Sequence, residues 1–320
     1  MEKGLVSIIT PCYNSATLVP KLLESVLRQD YPLIEMIVVD DGSNDNTKAI
    51  LDGYRPAFES RGIRYILLTQ ENGGQSSAVN NALKWVCGEY LLWPDSDDFY
   101  NRNDAVSLLV NTFQELPEEY GMIKTLPKYV DEASLNDITG DRYIDRRERQ
   151  FEQALFDQDF IWGFYMIRTH ALDTVNPLRE IYVEKKAGQN WQMVLPLLYS
   201  FKCFTLEENV FSVLIRSNSH SRLAGSDIKP FIDLNDTYEQ TILHTLDRIN
   251  EMPDEERESY KRRIRAKYAR QRLLLSCSFR DKERARKYKK EYIQTGSSLS
   301  LKDYLRYFLM QLDLYPLPGR

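Results

Sequence analysis

Four consecutive residues, Asp95-Ser96-Asp97-Asp98, concentrate more chemistry than any other stretch of the chain. Two carboxylates at i and i+2, directly after the apolar run Tyr90-Leu-Leu-Trp-Pro, suit a hard divalent cation held between protein oxygens and a diphosphate. Acidic turns are common by themselves, and the apolar run in front of this one is what sharpens the reading. Three more polar clusters also follow apolar runs: Pro11-Cys-Tyr-Asn, Asp40-Asp-Gly-Ser and Gln70-Glu-Asn-Gly-Gly-Gln. No G-x-G-x-x-G follows the first run and no Walker lysine loop occurs. Dinucleotide oxidoreductases and P-loop NTPases therefore lose their main signal. Trp162 and Trp191 are large, flat side chains, suited to stacking on a ligand ring or to filling a core.

The elements that must position these clusters are readable from hydrophobic period. Apolar, β-branched runs at 5–10, 34–39, 63–68 and 89–93 read as strands, and helical spacing fills 18–27, 46–58 and 76–86. Strands separated by such helices predict βαβ units and an α/β fold with a mostly parallel central sheet. In an open parallel sheet all four polar clusters fall at the carboxyl edge, where ligands bind. Loops after strands need turn residues anyway, but four acid- or amide-bearing loops on one edge exceed that need. A later strand is expected at 162–168. Residues 127–160, acidic, aromatic and poorly periodic, read as loops. Helices are expected at 233–249, 254–275, 281–293 and 301–314.

Composition narrows the class. The 320 residues are 42% apolar and 28% charged, and the mean hydropathy of -0.47 belongs to a globular chain. No apolar run approaches the length of a membrane span, and the first apolar stretch is too short for a signal peptide core. Cys12, Cys87, Cys203 and Cys277 are too far apart for a zinc site or a disulfide scaffold, which predicts a reducing, cytoplasmic setting. The net charge of -5 conceals a basic stretch: residues 257–290 hold 15 Lys or Arg against 3 acids. Such a run is either a solvated helix surface or a contact for an anionic partner. No RNA-binding signature accompanies it, so the expected partner is the anionic inner face of a membrane and not nucleic acid.

Taken together, Val6-Ser-Ile-Ile-Thr-Pro-Cys-Tyr-Asn, Ile37-Val-Val-Asp-Asp-Gly-Ser, Asn72-Gly-Gly-Gln and Gly88-Glu-Tyr-Leu with Asp95-Ser-Asp-Asp resemble a family 2 glycosyltransferase. The motifs cover about residues 4–100, and the likeness continues more loosely to about 222. It implies an A-type glycosyltransferase fold, with a catalytic domain over 1–224 (donor half 1–100, acceptor half 101–224) and a helical C-terminal region over 225–320. It also implies a nucleotide-diphosphate-sugar donor (a UDP-sugar), a divalent metal (Mn2+ or Mg2+) and inversion at the anomeric carbon. The acceptor would be a hydroxyl of a glycan or lipid-linked glycan, as in bacterial polysaccharide synthesis.

The same resemblance distributes roles. Thr10, Pro11 and Tyr13 would border the base and ribose, and Asp40 would hydrogen-bond to them. Asn72, Gly73, Gly74 and Gln75 would bring backbone amides to the donor, with Asn80 on the following helix. Val79 stands where members often carry arginine, so one charge near the diphosphate must come from elsewhere. Asp95 and Ser96 would face the sugar or ribose and Asp97 the metal. His220, in the polar run Ile215-Arg-Ser-Asn-Ser-His-Ser-Arg222, would be a second metal ligand, since imidazole favours manganese over magnesium. Arg216 and Arg222 would neutralise phosphate.

The catalytic base is where the pattern departs. Gln189 and Asn190 occupy the positions of the family's acidic pair, and neither amide accepts a proton at neutral pH. The base must then be another acid, Asp98, Asp159 or Glu184, unless the alignment is shifted. Two rival readings keep the sheet. A nucleotidyltransferase would need a Gly-rich, basic loop after the first strand, which Pro11-Cys-Tyr-Asn-Ser is not. A non-catalytic sugar-nucleotide binder would explain the amides at 189 and 190.

Overall fold

The computed structural model describes residues 1–320 except 135, 141–143, 159, 161, 217–224, 226 and 315–320. The chain divides into two compact units, Met1–Arg216 and Ser217–Arg320. The boundary expected from sequence lies at 224/225, and residues 217–224 are outside the described set.

The first unit opens with β1 (Glu2–Cys12), α1 (Val19–Leu27), β2 (Ile34–Asp40), α2 (Thr47–Ser60), β3 (Arg64–Thr69), α3 (Gln75–Leu83) and β4 (Gly88–Leu92). It continues with β5 (Phe99–Tyr100), α4 (Ala105–Glu115), β6 (Tyr120–Thr125), β7 (Lys128–Asp131), α5 (Phe151–Phe156), β8 (Tyr165–Arg168) and α6 (Thr169–Val175). The last elements are α7 (Asn190–Ser200), β9 (Lys202–Leu206) and β10 (Phe211–Ile215). Among the described residues the main sheet runs β3-β2-β1-β4-β8-β6-β9. Every pairing is parallel except those of β8, which is antiparallel to β4 and β6. This is the expected α/β architecture, a Rossmann-like sheet flanked by helices.

Burial explains the sequence pattern. All seven residues of β2 are buried, as a central parallel strand requires, so it reads as an unbroken apolar run. Helices α1, α2 and α4 cover one face with Leu22, Leu23, Val26, Leu51, Phe58 and Phe113. In α1 alone, Val19, Leu22, Leu23 and Val26 are fully buried, each worth roughly 1.5–3 kcal/mol against exposure. The register pairs Cys12 with Asp40 and Asp40 with Thr69, so β1, β2 and β3 end on one line. The loops after them, and the loop after β4, open on one edge. A second sheet of order β5-β10-β7 stands beside the acidic loop and was not foreseen. Its strands are two to five residues long, too short to announce themselves by period.

The second unit holds α8 (Lys229–Leu246), α9 (Asp254–Ser278), α10 (Lys282–Gln294) and α11 (Leu301–Gln311), matching the expected helices to within a few residues. Its core gathers Ile232, Leu273, Cys277, Ala285, Tyr288 and Met310. No helix among the described residues is long and apolar enough to cross a membrane. Much of the basic charge expected on its surface is used inside the unit. Lys261 pairs with Asp247 and Glu258, Arg272 with Asp236 and Glu239, Arg270 with Asp303, and Arg257 with Asp254.

Candidate active site

The first three loops form one hydrogen-bonded floor. The loops after β1 and β2 are stitched by Asn14 N–H to Ser43 Oγ at 2.9 Å, Asn44 N–H to Asn14 Oδ1 at 2.8 Å and Ser15 N–H to Thr47 Oγ1 at 2.8 Å. The tandem acids that follow β2 diverge. Asp40 accepts from Ser43 N–H at 3.2 Å and closes its own turn. Buried Asp41 reaches the next loop and accepts from Gly73 N–H at 2.9 Å, Gly74 N–H at 2.8 Å and Gln70 Nε2 at 2.7 Å. Gly42 permits this approach: its φ is +73°, and a Cβ would lie 2.9 Å from Asn72 N. Thr10 and Pro11 are buried at the end of β1, and Tyr13 is exposed at the rim.

The acidic loop after β4 meets this floor. One carboxylate oxygen from each of Asp95, Asp97 and Asp98 lies within 4.8 Å of the others. Asp95 Oδ1 accepts from Gln75 Nε2 at 2.5 Å and from Gln189 Nε2 at 3.2 Å. Burial, then the Asp97 charge, pushes the Asp95 carboxyl up to about 6, against the pull of the two amides and Arg216. Asp98 accepts from Leu214 N–H in β10 at 2.9 Å. Burial, then the Asp97 and Asp95 charges, holds its carboxyl well above the usual range. Asp97 is paired with Arg216 at 2.6 Å. Ser96 Oγ sits 2.8 Å from Ser15 Oγ and ties the acidic loop to the first. Three hard oxygen donors so close, with one arginine to balance them, fit a divalent cation.

A strap formed by residues 181–189 lies along α3. Asn80 gives both amide atoms to the Ile181 backbone, at 3.0 and 2.8 Å, and Ser76 Oγ bridges the Glu184 backbone. Gly74, at φ +89°, would bring a Cβ within 2.8 Å of Lys185 Cα. Lys185 Nζ donates to Asn72 O at 2.9 Å. The strap thereby brings a cation to the glycine loop, while Val79 itself is buried in the core. Its end delivers Gln189 to Asp95 and starts α7 at Asn190. Asn190 Oδ1 accepts from Trp93 Nε1 at 3.4 Å. Asn190, Asp95, Asp98, Trp93 and Tyr165 border a cavity of about 20 Å³, room for about one water. Gln189 is 1% exposed, and its Oε1 has no hydrogen-bond partner among the described residues.

The residues named from sequence thus fall into groups. Asp40, Asn72, Gly73, Gly74, Gln75, Asp95, Ser96, Asp97 and Asp98 line the edge where the four loops converge, with Gln189 and Asn190 against them. The Asn80 side chain is directed to the strap. Glu184 lies on the strap, with its Oε1 accepting from Lys186 N–H at 3.2 Å. Trp162 and Trp191 meet edge to face at 5.9 Å, and Trp162 Nε1 donates to Asp157. Asp159, His220 and Arg222 lie outside the described residues. Asp41 and Lys185 were missed. The paired acids after β2 carried a signal for Asp41, because adjacent residues leaving a strand point to opposite sides. Nothing in the sequence marks Lys185.

Comparison with known proteins bears on the family and the fold. The family model described as "Glycosyl transferase family 2" matches residues 7–175, just over half of the chain. Glycosyltransferase GlyG of Streptococcus pneumoniae is 34% identical over 158 residues, 49% of this chain and 45% of that protein. The chain spans under half the length of the curated relatives it matches. Among solved structures, S. aureus TarS 1–349 in complex with UDP-GlcNAc superposes with a TM-score of 0.58 at 18% identity, covering 97% of this chain and 93% of that one. The mannosyltransferase PcManGT of Pyrobaculum calidifontis, in complex with GDP-Man and Mn2+, gives 0.52 at 16% identity over 97% and 80%. At such identities the structures speak for the fold, and the family model speaks for descent: this chain belongs to glycosyl transferase family 2.

Proposed function

We propose that this chain transfers a sugar, of the hexosyl or N-acetylhexosaminyl class, from a UDP-sugar to a hydroxyl of a glycan or lipid-linked glycan, with inversion. The observation that carries the reading is the acidic triad at the meeting point of four loops, with Arg216 on one side and Gln189 on the other. The relatives support the donor class, since TarS is described with UDP-GlcNAc and PcManGT with GDP-Man and Mn2+. The same reading puts the work on the cytoplasmic side, at the inner face of a membrane, in polysaccharide synthesis.

The division of labour we assign draws on this geometry and on the family resemblance. The floor built by Asp41 presents the Asn72–Gln75 loop, and Asp40, Pro11 and Tyr13 border the base and ribose. Asp97, joined by His220, would hold Mn2+ or Mg2+, which when bound neutralises a diphosphate leaving group. Gln75 and Gln189 saturate Asp95 Oδ1 and leave its other oxygen for a ligand hydroxyl. In the transfer, the acceptor oxygen bonds to the anomeric carbon as the bond to the diphosphate breaks, and the hydroxyl proton passes to a carboxylate. Asp98, Asp159 and Glu184 are the acids for that role. Asp98 is favoured over Glu184 because it borders the cavity beside Asn190, where family members carry an acid. Trp162 and Trp191 would form the acceptor side.

The amides at Gln189 and Asn190 favour one second reading, a binder of nucleotide sugars without transfer. A thermal-shift panel of nucleotide sugars with and without Mn2+ tests what the two share. A donor present at 100 times its Kd stabilises by about 2.7 kcal/mol, and no shift with any donor would sink both. Donor consumption in the presence of Mn2+ then separates enzyme from binder. Individual Asn variants of Asp98, Asp159 and Glu184 identify the base by a loss of about 10²–10⁴ in rate.

A further inference from the structure

Helix α11 has two opposed faces. Asp303 and Met310 are buried, Met310 in the core of the helical unit and Asp303 against Arg270. On the other side Leu301, Tyr304, Leu305, Phe308 and Leu312 are each 48–86% exposed. At about 100° per residue these positions form a stripe about 100° wide, the spacing of an amphipathic face turned outward. A contiguous row of large apolar side chains is rarely left in water without a partner.

The charges around the stripe say what that partner is. Lys302 is exposed along one border. Along the other, Lys289 of α10 lies 5.8 Å from the Tyr304 ring centroid and 4.3 Å from that of Tyr307. Between Lys282 and Leu312 there are eight Lys or Arg and three acids, and one of those acids is the buried Asp303. The cations of α9 described above are tied into ion pairs within the unit, so the basic run seen in the sequence is not one continuous surface. An apolar strip framed by cations matches an anionic lipid surface: acyl chains for the strip, headgroups for its borders.

We propose that α11 docks the chain on an anionic membrane. The helix lies in the interface plane with Leu301, Leu305, Phe308 and Leu312 toward the acyl chains, and Lys289 and Lys302 at headgroup level. The proposal rests on the membrane-side reading above and names the element that carries it. A stripe alone binds reversibly, as an enzyme shuttling between acceptors requires.

The test is co-sedimentation of the full chain with phosphatidylglycerol vesicles and with phosphatidylcholine vesicles, at low and high salt. The wild type should pellet with phosphatidylglycerol at low salt and far less with phosphatidylcholine or at high salt. Leu305→Asp with Phe308→Asp should weaken partitioning at least about tenfold. Leu301→Asp with Leu312→Asp, at the stripe's two ends, repeats the test should the first pair fold poorly. Lys289→Glu with Lys302→Glu should remove the lipid-charge preference. The proposal falls if the wild type stays in the supernatant, or if folded Asp variants pellet like the wild type. It also falls if light scattering shows a dimer that the Asp variants split, because the stripe then covers a second copy. Nucleotide-sugar thermal shifts, run on the same samples, report the donor site separately, so failure at either place is visible.

Discussion

Gln189 donates its side-chain amide to Asp95 Oδ1 at 3.2 Å, across 94 residues of chain. The amide is what the local charge permits. Asp95 already shares a 4.8 Å neighbourhood with Asp97 and Asp98, and among the described residues Arg216 is the cation paired there.

Placing an acid at this position should therefore harm donor binding. Gln189→Glu places a carboxylate against Asp95, a repulsion of about 4 kcal/mol at 4 Å with an effective dielectric near 20. We expect donor affinity to fall by at least tenfold, read by thermal shift and by donor KM. A rise in turnover would mean that the position still serves as the base site and that the Asp95 contact is incidental.

Asp41 should matter more for the shape of the site than for the reaction. Asp41→Ala removes an acceptor shared by Gly73 N–H, Gly74 N–H and Gln70, and leaves three partly buried donors without it. The cost should be about 3 kcal/mol, or roughly 6–12 °C in Tm. Donor KM should rise with it, while kcat at saturating donor changes less. An unchanged Tm would show that water replaces the carboxylate without loss.

Asp97 and Arg216 should respond oppositely to metal. Asp97→Ala should abolish transfer at any Mn2+ concentration. Arg216→Ala should lower the Mn2+ needed for half-maximal activity, because a competing cation 2.6 Å from Asp97 is gone, and should raise donor KM through lost phosphate neutralisation. Identical Mn2+ titrations for wild type and Arg216→Ala would remove Arg216 from the site.

The helical unit should carry an acid-sensitive lock. Burial raises the Asp303 carboxyl, but Arg270, at 2.7 and 3.1 Å, and the Ser300 hydroxyl outweigh it and hold it below its ordinary 3.8. A depressed folded value means its stabilisation is present above about pH 4 and is lost as pH falls through the folded value. Denaturant midpoints followed by circular dichroism should therefore fall more steeply with acid in the wild type than in Asp303→Asn, which should be the less stable protein at neutral pH. Parallel pH curves would mean the pair adds nothing.

Local patterning in the sequence was enough to determine the alternation of strands and helices, the parallel sheet, the convergence of four polar loops on its carboxyl edge and the acidic cluster of Asp95, Asp97 and Asp98. Each depends on periods of two or 3.6 residues, or on the type of residue that ends a strand, and all are readable within about a dozen neighbours. Only the tertiary structure decided what each loop residue faces. Asp40 and Asp41 are adjacent, yet one closes its own turn and the other holds the glycine loop. Asn80 turns to Ile181, 101 residues away. The three-stranded sheet joins β5, β7 and β10 through strands too short to show a period, and it supplies the Leu214 amide that anchors Asp98. The basic run at 257–290 is one block in sequence, but folding ties part of it into ion pairs within the helical unit and sets Lys289 beside α11. Partners across a hundred residues are set by which faces pack together, and packing is a property of the whole chain that no local pattern encodes.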